Sequence, residues 1–415
     1  MSVHVTSEIG PLRAVLVHTP GPELTAVTPA TRADYLYDDI IDLDTAQREH
    51  ARFVAVLERF ATVHLVRDLL VDVVAAAEVR GRMIQQLMDV VPSPSLAREM
   101  EEMSPPELAR TLIEGREETP GPLAAALNET GFIIPPLPNL FFTRDTAMVV
   151  GGHVLIGAMR YGVRWSEEMI MKALIAHHPL LANAGILYDG SSERRHDYTL
   201  EGGDVHPLRR DLVLIGFSER SSPAAIDALV ALLFRDTPIE RAIIVVMPAE
   251  QTAIHLDMIF TQVDRQHCLV YPPHVVGPER LPVLLWRQSV AGLREMPNLF
   301  AALAECDLPM EPIYCGGPRR IMQDREQWAS GCNALALRPG LVLSYARNAA
   351  TLRELERAGF RVVGATALLE GEDRVADGDR AVIAFDGGEL VRGGGGPRCM
   401  TCPVRRDDPW DGSDG

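Results

Sequence analysis

The sequence predicts an α/β protein built from five repeats of a strand-strand-helix-strand unit, with a helical insertion in its first third. Three observations lead there. Short apolar runs bounded by Gly, Pro and Asp alternate with longer stretches of helical periodicity. The run Leu212-Val-Leu-Ile-Gly216 nearly copies Val154-Leu-Ile-Gly157, and a helix signal follows each. Residues 70–130 contain few strand formers and several helix starts. A closed ring of five units around a central axis is one arrangement that buries the apolar face of each unit.

Taken in order, residues 11–17 form a strand that stops before Pro20. Asp44 to Ala61 places Ala46, Phe53, Val54 and Leu57 at helical spacing, and Val63-His-Leu-Val66 returns as a strand. Within 70–130, Ser104-Pro-Pro-Glu107 has the form of a capping box, and Leu108, Leu112 and Ile113 make an apolar stripe. Pro92-Ser-Pro-Ser95 and Pro120-Gly-Pro122 punctuate the segment, which reads as four or five short helices.

The second unit runs from Thr146 through a Gly151-Gly152 turn to Ile156. A helix from Ser166 and a strand at Ile186-Leu-Tyr188 complete it. The third opens at Glu201-Gly-Gly-Asp204, continues through a helix capped by Ser222 with Pro223 at its start, and closes at Ala242 to Met247. The fourth opens as a strand at His255 to Phe260, pairs with Cys268 to Tyr271 and ends near Pro312-Ile-Tyr314. The fifth opens at Cys332-Asn-Ala-Leu-Ala-Leu337, pairs with Leu341 to Tyr345, and closes with Phe360 to Val363 after a helix ended by Gly359. Gly393 to Gly396 form a mobile loop, and residues 404–415 read as a solvated, disordered tail. The whole chain, 1–415, is expected to be one catalytic domain containing the insertion.

Composition narrows the function classes. Forty basic and 57 acidic residues give a net charge of −17, which disfavours nucleic acid or an anionic membrane and suits a cationic small substrate. Six cysteines, none before Cys268, are too sparse for a disulfide scaffold and imply a reducing, cytoplasmic setting. The N-terminus has neither the basic nor the apolar region of a signal peptide, and no apolar run approaches the ~20 residues of a membrane helix. Exposed helix faces are compatible with a homo-oligomer, dimer or higher.

Three acidic stretches stand out, each just before an apolar run and a turn: Asn139-Leu-Phe-Phe-Thr-Arg-Asp145, Glu201-Gly-Gly-Asp204 and His255-Leu-Asp257. An aspartate at such a place is ordinarily a turn former, and a lone histidine is ordinarily structural. Together with a cysteine beside a glycine loop they suggest another chemistry. A thiolate attacks, carboxylates grip a guanidinium fork, and histidine moves protons. Asp145 and Asp257 would each take one edge of the guanidinium, and Glu201 would take a third donor and contact His255. The pair Cys399 and Cys402 could also be half a zinc site, but no second Cys-x-x-Cys accompanies it.

These stretches, with Gly396-Pro-Arg-Cys-Met-Thr-Cys-Pro403, Gly216-Phe-Ser-Glu-Arg220 and Arg325-Glu-Gln-Trp328, resemble the arginine deiminase family of the guanidine-modifying superfamily. The resemblance covers nearly the whole chain. It implies a five-fold pseudo-symmetric α/β propeller with a helical insertion, and hydrolysis of L-arginine to L-citrulline and ammonia without metal or organic cofactor. It implies Cys399 as nucleophile, His255 as acid and base, and Asp145, Glu201 and Asp257 as guanidinium binders. Asn139, Phe142, Arg164 and Arg220 are expected at the amino-acid end of the substrate. Arg398 or Arg392 would supply a loop arginine, and Leu36 a backbone contact. Agmatine deiminase, methylarginine hydrolase and amidinotransferase are the neighbouring alternatives, and an arginine-binding regulator or a scaffold for protein partners the more distant ones.

Overall fold

The computed structural model describes residues 2–127, 131–192 and 198–411. Five of its sheets share one plan: an antiparallel pair of strands, with a further strand parallel to one of them and reached through a helix. In the second unit, Ala147–Val150 pairs antiparallel with His153–Ile156, helix Trp165–His177 follows, and Ile186–Asp189 returns parallel. The third unit repeats this with Val205–Arg209, Leu212–Phe217, helix Pro223–Asp236 and Arg241–Val246. The fourth does so with Phe260–Gln262, His267–Val270, helix Leu299–Glu305 and Glu311–Tyr314. Two further strands, Val283–Arg287 and Leu293–Met296, extend the third unit's sheet to five.

The second strand of each hairpin is apolar because both its faces are covered. Leu212 to Gly216 and Leu341–Tyr345 are buried at every position. Helix starts follow their caps: the Asp42 side chain accepts from Thr45 N–H, and Ser222 from Ala225 N–H. The Ser104/Glu107 capping box forms, and Leu108, Leu112 and Ile113 are buried beneath it. The stretch expected to be helical holds Val66–Val74, Ala77–Val90, Pro94–Glu102, Pro105–Glu114 and Pro122–Ala126. Residues 128–130 of that stretch lie outside the described residues. Among the described residues no helix is long and apolar enough to cross a membrane.

Three expectations need correction. First, the acidic stretches do not begin strands. Asp145 sits in the helical turn Thr143–Thr146, Glu201 caps the 3₁₀ turn Gly202–Asp204, and Asp257 lies in the 3₁₀ turn Leu256–Met258. Each turn halts the chain just before a hairpin and lets its acidic side chain leave the plane of the sheet. Second, the first part of the supposed tail is a strand: Cys402–Arg406 pairs antiparallel with Leu12–Val17 and supplies the first unit's missing hairpin strand. Arg406 is buried there and donates to Gly10 O at 2.6 Å, so its charge marks an interior bond and not a solvated end. Residues 412–415 of the expected tail lie outside the described residues. Third, in the fifth unit Arg361–Gly364 does not pair with the hairpin. Strand Ala381–Phe385 inserts between them, parallel to both, because helix Ala365–Glu370 carries the chain onward.

Candidate active site

The turns that precede the five hairpins bring their side chains together. Cys399 lies on the turn before Cys402–Arg406, Asp145 on that before Ala147–Val150, and Glu201 on that before Val205–Arg209. His255 and Asp257 precede Phe260–Gln262, and Asn333 precedes Leu335–Arg338. All six are buried, Cys399 and Asp145 at 4% exposure and Glu201, Asp257 and Asn333 at zero.

His255 anchors the cluster. Its Nε2 lies 2.8 Å from Glu201 Oε2, and its Nδ1 lies 3.8 Å from Asp145 Oδ1. Burial would favour the neutral ring, but Asp145, the Glu201 hydrogen bond and Asp204 outweigh it and raise the pKa to about 9. His255 is therefore an imidazolium at neutral pH. Its ring packs on Gly203, where a Cβ would come within 2.5 Å of the ring, so the Gly-Gly pair makes room for the imidazole.

Asp257 and Asp145 flank the sulfur differently. Asp257 Oδ2 accepts from Arg398 Nη1 at 2.9 Å and lies 3.5 Å from Cys399 Sγ. Burial works against its charge, but Arg398, His255 and His206 hold its pKa below the usual carboxylate value. Asp145 Oδ2 accepts from Arg164 Nη1 at 2.7 Å. The second oxygens, Asp145 Oδ1 and Asp257 Oδ1, are buried with no hydrogen-bond partner among the described residues. A buried carboxylate oxygen without a hydrogen bond is costly, so both oxygens have room for a donor. Cys399 has the opposite bias. Burial, Asp257 and Asp145 push its thiol well above the ordinary value.

The expected binders of the substrate's amino-acid end separate into two groups. Leu36, Asn139, Phe142, Arg164 and Arg220 line a small cavity of about 30 Å³ together with Asp145, His255 and Cys399. It adjoins an outer cavity of about 510 Å³, with which it shares Leu36, Arg220, Ile254, Met258, Gly393 and Gly394. Leu36 adopts φ 66°, a left-handed conformation uncommon for a leucine, at the junction of the two. Phe142 packs on the glycine loop, where a Cβ on Gly395 would lie 2.4 Å from its ring. Asn139 Nδ2 donates to Tyr35 O at 2.8 Å, fixing its amide.

Arg398 lies apart from both groups. It is fully buried, and its guanidinium donates to Glu8, Asp257, Gly203 O and Val205 O. It neutralises the interior side of Asp257 and lines neither cavity. Arg392 is the loop arginine nearer the surface, paired with Asp39 and Glu389. Cys402 is likewise structural, its thiol donating to Ala147 O at 3.2 Å inside the sheet.

Asn333, Glu167 and Glu8 were not anticipated. Glu167 takes the Arg164 fork through both oxygens, and Glu8 joins Arg144 to Arg398. Ligand-type atoms of Asp145, Glu201 and His255 lie within 4.8 Å of one another, the spacing of a metal triad. Here Arg164, Arg220 and the imidazolium supply the countercharge to both carboxylates, so the residues present form an ion-pair network.

Comparison with known proteins follows the same lines. Residues 33–406 match the family model described as arginine deiminase. A protein named arginine deiminase, from Rhodococcus erythropolis strain PR4, is 33% identical over 423 residues, spanning 97% of each chain. The fold is similar to that of the N-terminal domain of ArgZ bound to product, an arginine dihydrolase from the ornithine-ammonia cycle in cyanobacteria. There the TM-score is 0.54 at 15% identity, over 95% of this chain and 97% of that one. It is also similar to a dimethylarginine dimethylaminohydrolase adduct with 4-chloro-2-hydroxymethylpyridine, at TM-score 0.52 and 13% identity over 94% and 99% of the two chains.

Proposed function

The chain belongs to the arginine deiminase family, and from that premise we propose that it hydrolyses L-arginine to L-citrulline and ammonia through a covalent intermediate on Cys399. The observation that carries the reading is the pair of buried oxygens without a hydrogen bond among the described residues, Asp145 Oδ1 and Asp257 Oδ1, beside a buried thiol and an imidazolium. Two carboxylate edges suit the planar fork of a guanidinium, and a cation placed between them offsets the charges that suppress the thiolate.

In this reading the guanidinium lowers the thiol pKa, and the Cys399 thiolate attacks the central carbon. The imidazolium of His255 gives its proton to the departing nitrogen, which leaves as ammonia and creates an S-alkylthiouronium. Neutral His255 then takes a proton from water, whose oxygen attacks the same carbon. Collapse breaks the carbon–sulfur bond while the hydroxyl proton passes to the released ammonia, giving ammonium, citrulline and the thiolate, with His255 again an imidazolium. Glu201, hydrogen-bonded to His255, keeps the ring oriented and favours its charged form. Arg164 and Arg220 line the inner cavity and serve the substrate carboxylate, which argues against agmatine, and Asn139, Phe142 and Leu36 shape that end. Arg392 takes the role of loop arginine. The reaction needs no metal or organic cofactor.

We further propose that the five sheets stand around a common axis as a five-fold propeller. The plan repeated in each unit and the convergence of all five pre-hairpin turns on one cluster support it. The helices between Val66 and Ala126 are then an insertion in a single catalytic domain, and the protein works in the cytoplasm. Rapid acid quench during turnover, followed by peptide mass spectrometry, tests the chemistry. The peptide bearing Cys399 should carry arginine less ammonia. Steady turnover with no adduct on that peptide contradicts the covalent route.

A further inference from the structure

The fifth pre-hairpin turn contributes neither acid nor base, yet its side chain lies against the sulfur. Asn333 Oδ1 accepts from the backbone N–H of Arg398 at 2.9 Å and of Cys399 at 3.3 Å. Two backbone donors can face only an oxygen, so the amide orientation is fixed by chemistry and Nδ2 must lie on the other side. Nδ2 is 3.0 Å from Cys399 Sγ and 3.5 Å from Asp257 O. One buried amide therefore holds the nucleophile's backbone, its sulfur and the segment carrying Asp257.

The surroundings fix this amide tightly. A Cβ on Gly396 would come within 2.7 Å of Asn333 Oδ1 and 2.8 Å of its Cβ, so the glycine loop is pressed against it. On its own side, Ser330 takes φ 56° at the start of the turn, and Asn333 N–H donates to Ser330 O at 3.0 Å. A left-handed serine is an uncommon conformation, held only where the surroundings impose it.

We propose that Asn333 orients the Cys399 turn and donates the hydrogen bond that stabilises the Cys399 thiolate. A neutral donor suits this place. It favours the anion over the thiol without bringing a permanent cation to compete with a guanidinium substrate for the neighbouring carboxylates. The inference rests on the reading of Cys399 as the nucleophile, and it assigns to a neutral side chain a task usually given to a cation.

The test reads the thiolate directly. Alkylation of Cys399 by iodoacetamide is followed across pH by peptide mass spectrometry in the unmodified protein, Asn333→Ala and Asn333→Asp, alongside citrulline formation. Asn333→Asp retains an oxygen for the two backbone donors, so the turn keeps its cap while the sulfur loses its donor and gains a carboxylate that opposes the thiolate; Asn333→Ala removes the donor with no added charge. We expect alkylation at neutral pH to fall about tenfold or more in both variants, with the midpoint moving to higher pH by about one unit, and kcat to fall more than KM. Profiles in both variants that superimpose on the unmodified protein overturn the inference, as does a change confined to Asn333→Ala, which would leave capping as the only role. The two readings fail separately. Shifted profiles in both variants, with no citrulline made by the unmodified protein, sink the proposed reaction alone.

Discussion

Arg164 Nη1 lies 2.7 Å from Asp145 Oδ2, and both side chains are buried. This ion pair ties the proposed carboxylate end of the pocket to its guanidinium end. Arg164 also grips Glu167 through Nε and Nη2 and reaches Asn139 O at 3.3 Å. Those bonds occupy four of a guanidinium's five N–H donors and leave one, on Nη1, for a further anion.

Removing that arginine should therefore cost stability as well as binding. Arg164→Gln strands Asp145 and Glu167 in the interior, a loss of roughly 3–5 kcal/mol in chemical denaturation. Arg164→Lys, which keeps the charge but not the fork, should fall between. Stability within about 0.5 kcal/mol of the unmodified protein for both would show that the pair does not hold the site.

His255 gives the protein a pH signature. Its pKa rises from 6.5 to about 9 on folding. The associated stabilisation is fully present below pH 6.5 and is lost as pH climbs through about 9, and it amounts to roughly 3 kcal/mol. His255→Gln should lower the melting temperature more at pH 6 than at pH 9.5. An equal drop at the two values would mean that the imidazolium is not the stabilising species.

Asp257→Asn tests the carboxylate that flanks the sulfur. The amide loses its charge and presents N–H donors to a guanidinium and to Arg398, so kcat/KM for arginine should fall on the order of a thousandfold. Rates within a few-fold of the unmodified protein would remove Asp257 from the proposed mechanism.

The two loop arginines should part company. Arg392 is partly exposed and paired with Asp39 and Glu389 beside the lining glycines Gly393 and Gly394, so in its proposed role as loop arginine Arg392→Ala should raise KM several-fold and leave thermal stability unchanged. Arg398→Gln leaves Asp257 without its arginine and Glu8 with Arg144 alone in the core, and should destabilise by roughly 3 kcal/mol or more. The reverse pattern, KM lost with Arg398 and stability lost with Arg392, would exchange their roles.

What the sequence revealed follows its periodicities. Helices with strong caps, such as Pro223–Asp236 behind Ser222, and strands buried on both faces, such as Leu212–Phe217, were visible because local chemistry and burial agree. The first unit's hairpin was not, because its two strands, Leu12–Val17 and Cys402–Arg406, come from opposite ends of the chain. Arg405 and Arg406 disguised the second of them. Asp145, Glu201, His255, Asp257 and Cys399 announced themselves by residue type. Asn333 carries no charge and no motif, and only its position gave a signal. It stands on the fifth turn, where the other four turns bear the cluster. The burial of Arg398 was not legible, because a charged side chain beside a glycine loop reads as exposed, whereas its partner Glu8 lies 390 residues away in sequence.

The proposed function has this chain convert L-arginine to L-citrulline with Cys399 as nucleophile. The most direct measurement is citrulline formation by the purified protein beside Cys399→Ser and Cys402→Ser. Turnover is expected in the unmodified protein, none in Cys399→Ser, and retained turnover in Cys402→Ser, which replaces a thiol bonded to Ala147 O within the sheet. Citrulline production by Cys399→Ser, or none by the unmodified protein, would contradict it.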